Sequence, residues 1–116
     1  DFVIWGTGKP LREFIFSKDI AKLTEWVLDN YTDEQPIIFS TSDAVTIKDV
    51  VDLIVEYMNF KGNVVWDRDK PDGQYRKPSS TAKLESLIPD YEFTSVEDGL
   101  KETVEWFHSN YESLRK

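Results

Sequence analysis

The chain has 116 residues, with 14 Lys and Arg against 22 Asp and Glu, a formal net charge of −8, no cysteine and a single histidine. That length allows one modest hydrophobic core. The acidic balance argues against a nucleic-acid surface, the missing cysteines exclude disulfides and thiolate metal sites, and one histidine leaves a transition-metal site short of ligands. No apolar run approaches the length of a membrane span.

The opening, DFVIWG, has neither a basic leader nor a small-residue cleavage site, and with the absent cysteines this gives the expectation of a cytoplasmic protein. The lack of an initiator Met and the abrupt apolar start give a second expectation, that the chain is a fragment of a longer protein.

Phe2 to Trp5 reads as a short strand, and Gly6-Thr7-Gly8-Lys9-Pro10 as a turn, because Gly tolerates positive φ and Pro fixes its own. Leu11 to Phe16 resumes as an extended run. Ser17 is read as an N-cap with Asp19 in the first turn, and Ile20, Leu23, Val27 and Tyr31 follow at helical spacing, which predicts a helix at about 18–30. Ile37 to Ser40, after Pro36, is expected to be a buried strand. Thr46-Ile47-Lys48-Asp49 has the form of a capping box, with Asp in the usual place of Glu or Gln. Apolar positions 47, 50, 51, 54, 55 and 58 then mark one face of a helix that Gly62 is expected to end. Val64 to Trp66 is another short strand. Asp67 to Ser79 is a polar loop with Pro-Asp-Gly turn chemistry at its middle. Ser80 is read as the cap of a short helix at about 81–88, closed by Pro89. Thr94-Ser95-Val96-Glu97 is read as a capping box for a last helix carrying Val96, Leu100, Val104, Phe107, Tyr111 and Leu114. Helices alternating with short strands predict a small α/β layer that would cover another domain better than it stands alone.

Two local islands of positive charge stand out from this acidic background. Lys61 to Lys77 holds five Lys or Arg against three Asp, a local balance of +2, and Lys9 with Arg12 forms a second island. The fork of Arg12, beyond a Gly/Pro turn, suits bidentate contact to phosphate; an ion pair with Glu13 or another acid is the alternative, and spacing leaves both open. In the loop, Lys70, Arg76 and Lys77 are candidates for phosphate oxygens, and Asp72 for sugar hydroxyls or the N–H edge of a base. Tyr75 is a candidate to stack. Taken alone, the loop also reads as a solvated mixed-charge segment. Two such islands together point to a nucleotide-type ligand.

Other patterns carry less. Gly6-Thr7-Gly8 lacks the third glycine and the following helix that a dinucleotide loop needs, so it reads as a turn. Tyr57 and Lys61 have the Tyr-x-x-x-Lys spacing of short-chain dehydrogenases, but they sit at a helix end and no cofactor fingerprint precedes them. His108 lies in an acidic amphipathic helix with no second ligand near in sequence and reads as a surface residue.

VIWGTGKPLREFIFSKDIA, KGNVVWDRDKPDGQYRK and KETVEWFHSNYE together resemble the C-terminal portion of the GDP-L-fucose synthase family. Its members are GDP-4-keto-6-deoxy-D-mannose 3,5-epimerase/4-reductases of the extended short-chain dehydrogenase type. The first motif alone indicates only the wider nucleotide-sugar family; the K-P-D-G-x-x-R-K loop points to this branch. The resemblance implies an N-terminal NADP-binding Rossmann domain, absent from this chain, that carries the catalytic Ser, the Tyr-x-x-x-Lys pair and the Cys and His of epimerisation. Residues 1–116 would then be the smaller α/β domain that closes over the GDP-sugar. The substrate contacts implied are Trp5, Arg12, Asp72 and Lys77. No catalytic residue, metal or cofactor site is expected in this chain; NADP(H) would bind outside it, and the parent enzyme would be a homodimer, with neither nucleic acid nor membrane as partner. Two other readings stand beside this one: the substrate domain of a different nucleotide-sugar epimerase or dehydratase, and a non-catalytic interaction module whose basic loop binds an acidic partner.

Overall fold

Two separate pairs of short strands organise the computed structural model, which describes residues 1–114. Strand β1 (Phe2–Trp5) runs parallel to β4 (Val64–Asp67), with Phe2 opposite Val64 and Trp5 opposite Asp67. Strand β2 (Leu11–Glu13) runs antiparallel to β3 (Ala44–Thr46), with Leu11 opposite Thr46 and Glu13 opposite Ala44. The helices are α1 (Ser17–Asn30), α2 (Ile47–Tyr57), α3 (Ala82–Leu87) and α4 (Val96–Asn110), the last followed by a single 3₁₀ turn at Tyr111–Ser113. The α/β class and the four helices agree with the sequence reading.

Local chemistry explains the joints. Gly6 and Gly8 have φ of 88° and 75°, the left-handed region, and turn the chain from β1 into β2. At Gly8 a Cβ would lie 2.6 Å from the Trp66 ring, so the indole packs where only hydrogen fits. The capping box at α2 forms as read: Asp49 N donates to Thr46 Oγ1 at 3.0 Å, and Thr46 N donates to Asp49 Oδ2 at 3.2 Å.

Several expectations move. Leu11 to Phe16 is strand only as far as Glu13. Ser17 is the first residue of α1 and not its cap; Phe16 takes the cap position without a side-chain bond. The α2 helix ends through Asn59, at φ 51°, three residues before the Gly62 expected to end it. Thr81, not Ser80, precedes α3. Ile37 to Ser40 forms no strand, because no neighbouring strand among the described residues offers it a ladder, and Ile38 is left half exposed. The strand in that region is instead β3, seven residues on from Ile37, where pairing with β2 is available.

The cap of α4 shifts for a traceable reason. Asp19, in the first turn of α1, is turned inward and only 2% exposed. Its Oδ1 accepts from Tyr91 Oη at 2.7 Å, and its Oδ2 accepts from Thr94 N at 3.0 Å. With the Thr94 amide drawn to Asp19, Ser95 becomes the cap, and its Oγ accepts from Asp98 N at 3.1 Å. Burial, and then the bond to Asp19, push the Tyr91 hydroxyl up to about 12.

The core is small: Leu23, Val50, Leu84 and Val104 are its buried apolar side chains among the described residues. α2 packs on α4 and on β3, and Gly99 of α4 lets the Phe16 ring approach closely. The radius of gyration is 17.0 Å, against about 13 Å for a compact chain of this length. Accessible surface is 8622 Å², against about 6,500 Å² expected for a compact monomer. Phe2, Trp5, Phe14, Ile38, Phe60 and Trp106 are among the large apolar side chains left exposed. The layer is thus open, with much of its apolar surface uncovered.

Asp19→Ala removes the acceptor for a part-buried hydroxyl and a backbone amide together, and is expected to cost about 2–4 kcal/mol of stability. Tyr91→Phe, which removes one donor only, should cost about 1–2 kcal/mol. Urea denaturation followed by circular dichroism checks both; equal costs would show that the Thr94 bond contributes nothing.

Candidate functional site

The loop between β4 and α3 has no regular structure of its own, and every residue from Arg68 to Ser80 is exposed. Its path is set by bonds to the first thirteen residues of the chain. The Asp72 carboxylate accepts from Thr7 N at 2.6 Å and from Thr7 Oγ1 at 2.6 Å. Leu11 N donates to the Tyr75 carbonyl at 2.8 Å, and Leu11 forms an isolated parallel bridge with Arg76. Arg12 Nη2 donates to the Gln74 carbonyl at 2.9 Å, and its Nη1 to the Leu11 carbonyl at 2.6 Å. At the far end, Ser79 N donates to the Glu13 carboxylate at 3.2 and 3.3 Å, and Ser40 Oγ donates to the same carboxylate at 2.7 Å. The opening turn, β2 and the loop therefore form one wall.

Trp5, 69% exposed, stands at the end of β1, and the Lys70 ammonium lies over its ring, 5.5 Å from the centroid. Arg12 is brought against the loop. It makes no ion pair with Glu13, whose carboxylate is engaged by Ser40 and Ser79. Arg12 uses its fork on two carbonyls, and these bonds leave about three of its five N–H groups for other partners. Asp72 is bound to Thr7, with a further lone pair on each oxygen. Lys77, one residue beyond the bridge at Arg76, is exposed, and its side chain makes no hydrogen bond or ion pair among the described residues. Trp5, Arg12 and Asp72 are thus joined through the loop, while Lys77 is held near them by backbone alone.

Thr7 and the carbonyl of Gln74 carry this geometry, and sequence reading singled out neither. The signal for Thr7 was present, a hydroxyl residue between two turn glycines, but its partner lies 65 residues away. A Cβ at Gly6 would clash outright with Asp72 Oδ1, so this glycine is there for the carboxylate's approach. Thr7's amide is engaged by Asp72 and Lys9-Pro10 leads on into β2, so the turn offers no pyrophosphate cradle. Nicotinamide-cofactor binding has no fit at these glycines.

Electrostatics follow the bonds. The Thr7 hydrogen bonds, with help from Lys9, hold the Asp72 carboxyl below its ordinary range. Ser40 first, then Ser79 and the Arg76 charge, do the same for Glu13. Tyr57 moves the other way: partial burial and the carboxylates of Glu56, Glu97 and Asp98 push its hydroxyl up, opposite to what a proton-transfer tyrosine needs. It is also the last residue of α2, with Asn59 at φ 51° between it and Lys61, so the two do not share a helical face. His108 is exposed on α4. Among the described residues no three His, Cys, Asp or Glu side chains gather to hold a metal, and no helix is long and apolar enough to cross a membrane. What the wall can do is bind: an exposed aromatic face, an arginine fork, free cations and a carboxylate suit an anionic, ring-bearing ligand.

The sequence profile of the NAD dependent epimerase/dehydratase family matches residues 1–41. A GDP-L-fucose synthase of Dictyostelium discoideum is 49% identical over 118 aligned residues, which cover 100% of this chain and 37% of that protein. The crystal structure of a GDP-L-fucose synthetase from Naegleria fowleri bound to NADP superposes with a TM-score of 0.94 at 46% identity, covering 98% of this chain and 36% of that one. A GDP-6-OMe-4-keto-L-xylo-heptose reductase from Campylobacter jejuni superposes with a TM-score of 0.78 at 28% identity, over 93% of this chain and 34% of that one. Fold and profile define the class of likeness: along its length the chain is similar to the C-terminal region of extended short-chain dehydrogenases. Within the class, its end-to-end likeness is to GDP-L-fucose synthases, as the three sequence motifs suggested, and it spans about a third of the length of the relatives it matches.

Both depressed carboxylates stabilise the anchored loop while ionised. Their contribution is complete above the ordinary carboxylate range and is lost as pH falls through the lowered folded-state values. The amide resonances of Thr7 and Ser79 should therefore titrate with midpoints below those of model Asp and Glu, and Asp72→Asn should abolish the Thr7 titration alone. A Thr7 midpoint at or above the ordinary Asp value would contradict the anchor.

Proposed function

We propose that residues 1–116 form the GDP-sugar-binding domain of a longer NADPH-dependent epimerase-reductase that converts GDP-4-keto-6-deoxy-D-mannose into GDP-L-fucose. The observation that carries this reading is the match to GDP-L-fucose synthases along the whole chain, the loop included. The geometry supports it. Arg12 and Lys77 supply cations for the diphosphate, Trp5 an aromatic face, and Asp72 an acceptor for sugar hydroxyls or a base N–H edge. Arg12 and Asp72 serve twice, since their bonds to the Gln74 carbonyl and to Thr7 fix the side chains that the ligand then meets.

When bound, NADPH supplies the hydride for reduction of the keto sugar; the likeness to an NADP-bound relative supports that cofactor for the parent enzyme. The residues that would hold it, the proton relay and the epimerisation groups belong, in this reading, to an N-terminal domain outside the 116 residues, and the parent is a cytoplasmic homodimer. This chain's share is binding, orientation and closure over the sugar. Binding without a positioned donor and acid–base pair gives no chemistry.

A second reading is that the parent reduces a different GDP-linked keto sugar, favoured by the structural likeness to a GDP-heptose reductase. Turnover of each keto sugar by the full-length enzyme separates the two.

In the full-length enzyme, Arg12→Ala should raise KM for the GDP-sugar about 10–100-fold, and Lys77→Ala about 5–10-fold, as loss of charge-assisted bonds to phosphate dictates. Unchanged values in both would leave a non-catalytic interaction role for the basic loop. The 116-residue chain alone, supplied with NADPH and the keto sugar, should show no turnover; measurable NADPH oxidation would overturn the assignment of catalysis to other residues.

A further inference from the structure

We infer that Thr7 is a positioning residue for the substrate loop, acting through Asp72 as a latch that sets where Lys70 and the loop tip lie against Trp5. The latch itself rests on geometry, and its consequence for ligand binding rests on the GDP-sugar reading above.

Three observations converge. First, both donors of Thr7, its amide and its hydroxyl, reach the same carboxylate at 2.6 Å each, one to each oxygen. That convergence needs the turn in which Thr7 sits, with Gly6 and Gly8 at φ 88° and 75°, and needs the missing Cβ at Gly6. Second, among the described residues these are the sole hydrogen bonds that tie residues 71–73 to the rest of the molecule. Gly73, at φ 76°, has nothing within 4 Å of where a Cβ would be, so packing does not hold the tip. The neighbouring anchors act elsewhere: Lys70 N on the Asp67 carbonyl before the tip, and the Gln74, Tyr75 and Ser79 bonds after it. Third, Thr7 Oγ1 also accepts from Lys9 N at 3.3 Å, which fixes the hydroxyl so that its hydrogen points to Asp72.

Releasing the latch frees the span from Lys70 to Gly73, including the ammonium now over Trp5. Thr7 need touch no ligand to matter. A serine would keep both donors; a valine would keep the shape and the amide but lose the hydroxyl.

The test uses the full-length enzyme and two readouts. The heteronuclear NOE of the Gly73 amide reports the mobility of the loop tip directly, with the Lys22 amide of α1 as the internal control. Thr7→Val should lower the NOE at Gly73 and leave the control unchanged, while Thr7→Ser should behave as the parent. Calorimetry with GDP should then show Kd raised about 5–20-fold in Thr7→Val and within about twofold of the parent in Thr7→Ser, with NADPH affinity unchanged in both. In Asp72→Ala, adding Thr7→Val should have no further effect on either readout, since Thr7 acts through that carboxylate. An unchanged Gly73 NOE in Thr7→Val, or equal effects of valine and serine, overturns the latch. A lowered Gly73 NOE in Thr7→Val, with a parent that does not bind GDP, upholds the latch and sinks the ligand reading instead.

Discussion

The bonds between the opening thirteen residues and the loop at 68–80 are the constraint on which the candidate site depends. A fully exposed, irregular loop rich in charge has no packing to fix it, so hydrogen bonds to a rigid neighbour must do so. The neighbour is the β1–β2 turn. Two of the anchors are carboxylates, Asp72 on Thr7 and Glu13 on Ser79, and two are backbone carbonyls taken by Leu11 and Arg12. In a chain of net charge −8, the stretch from Lys61 to Lys77 keeps a local balance of +2 with Asp72 counted, and the Lys77 side chain stays without a partner among the described residues. Hydrogen bonding fixes where the Asp72 and Glu13 charges lie without removing them.

Openness is the second physical theme. About 2,100 Å² more surface is accessible than a compact monomer of this length would show, more than the ~800 Å² per partner that a standard interface covers. The strand pairs are correspondingly minimal. A parallel pair of four residues each, with Phe2 and Val65 exposed, is not the buried setting in which parallel strands ordinarily occur. Such a layer positions a site well where it is stitched and poorly where it is bare, and the stitched part is the wall around Arg12. Asp19 extends the same principle to the other end of the molecule, holding the run into α4 against α1 by two bonds to one buried carboxylate.

How far the sequence led can be judged residue by residue. The class, the four helices, the strand character of β1 and β4, and the Thr46–Asp49 capping box were legible, because each rests on local composition, on periodicity or on a motif whose partners lie within four residues; that β1 and β4 pair in parallel was not. Caps in runs of hydroxyl residues were legible only to within a position: in Thr94-Ser95 the choice was made by Asp19, some seventy residues earlier. Ile37 to Ser40 has the composition of a strand, but a strand is a property of a pair, and no described strand pairs with it. The site divides in the same way. Trp5, Arg12, Asp72 and Lys77 were singled out as candidates from residue type and from the resemblance; the fact that Asp72 is bound to Thr7, and Arg12 to Gln74, was invisible because both links cross more than sixty residues.

The ligand proposed for this wall is a guanosine diphosphate sugar. Competitive calorimetry of the full-length protein, with GDP in one series and UDP in the other at fixed ionic strength, tests it most directly. GDP is expected to bind at least about tenfold more tightly, a difference of about 1.4 kcal/mol. Equal affinity, or a preference for UDP, would contradict the assignment.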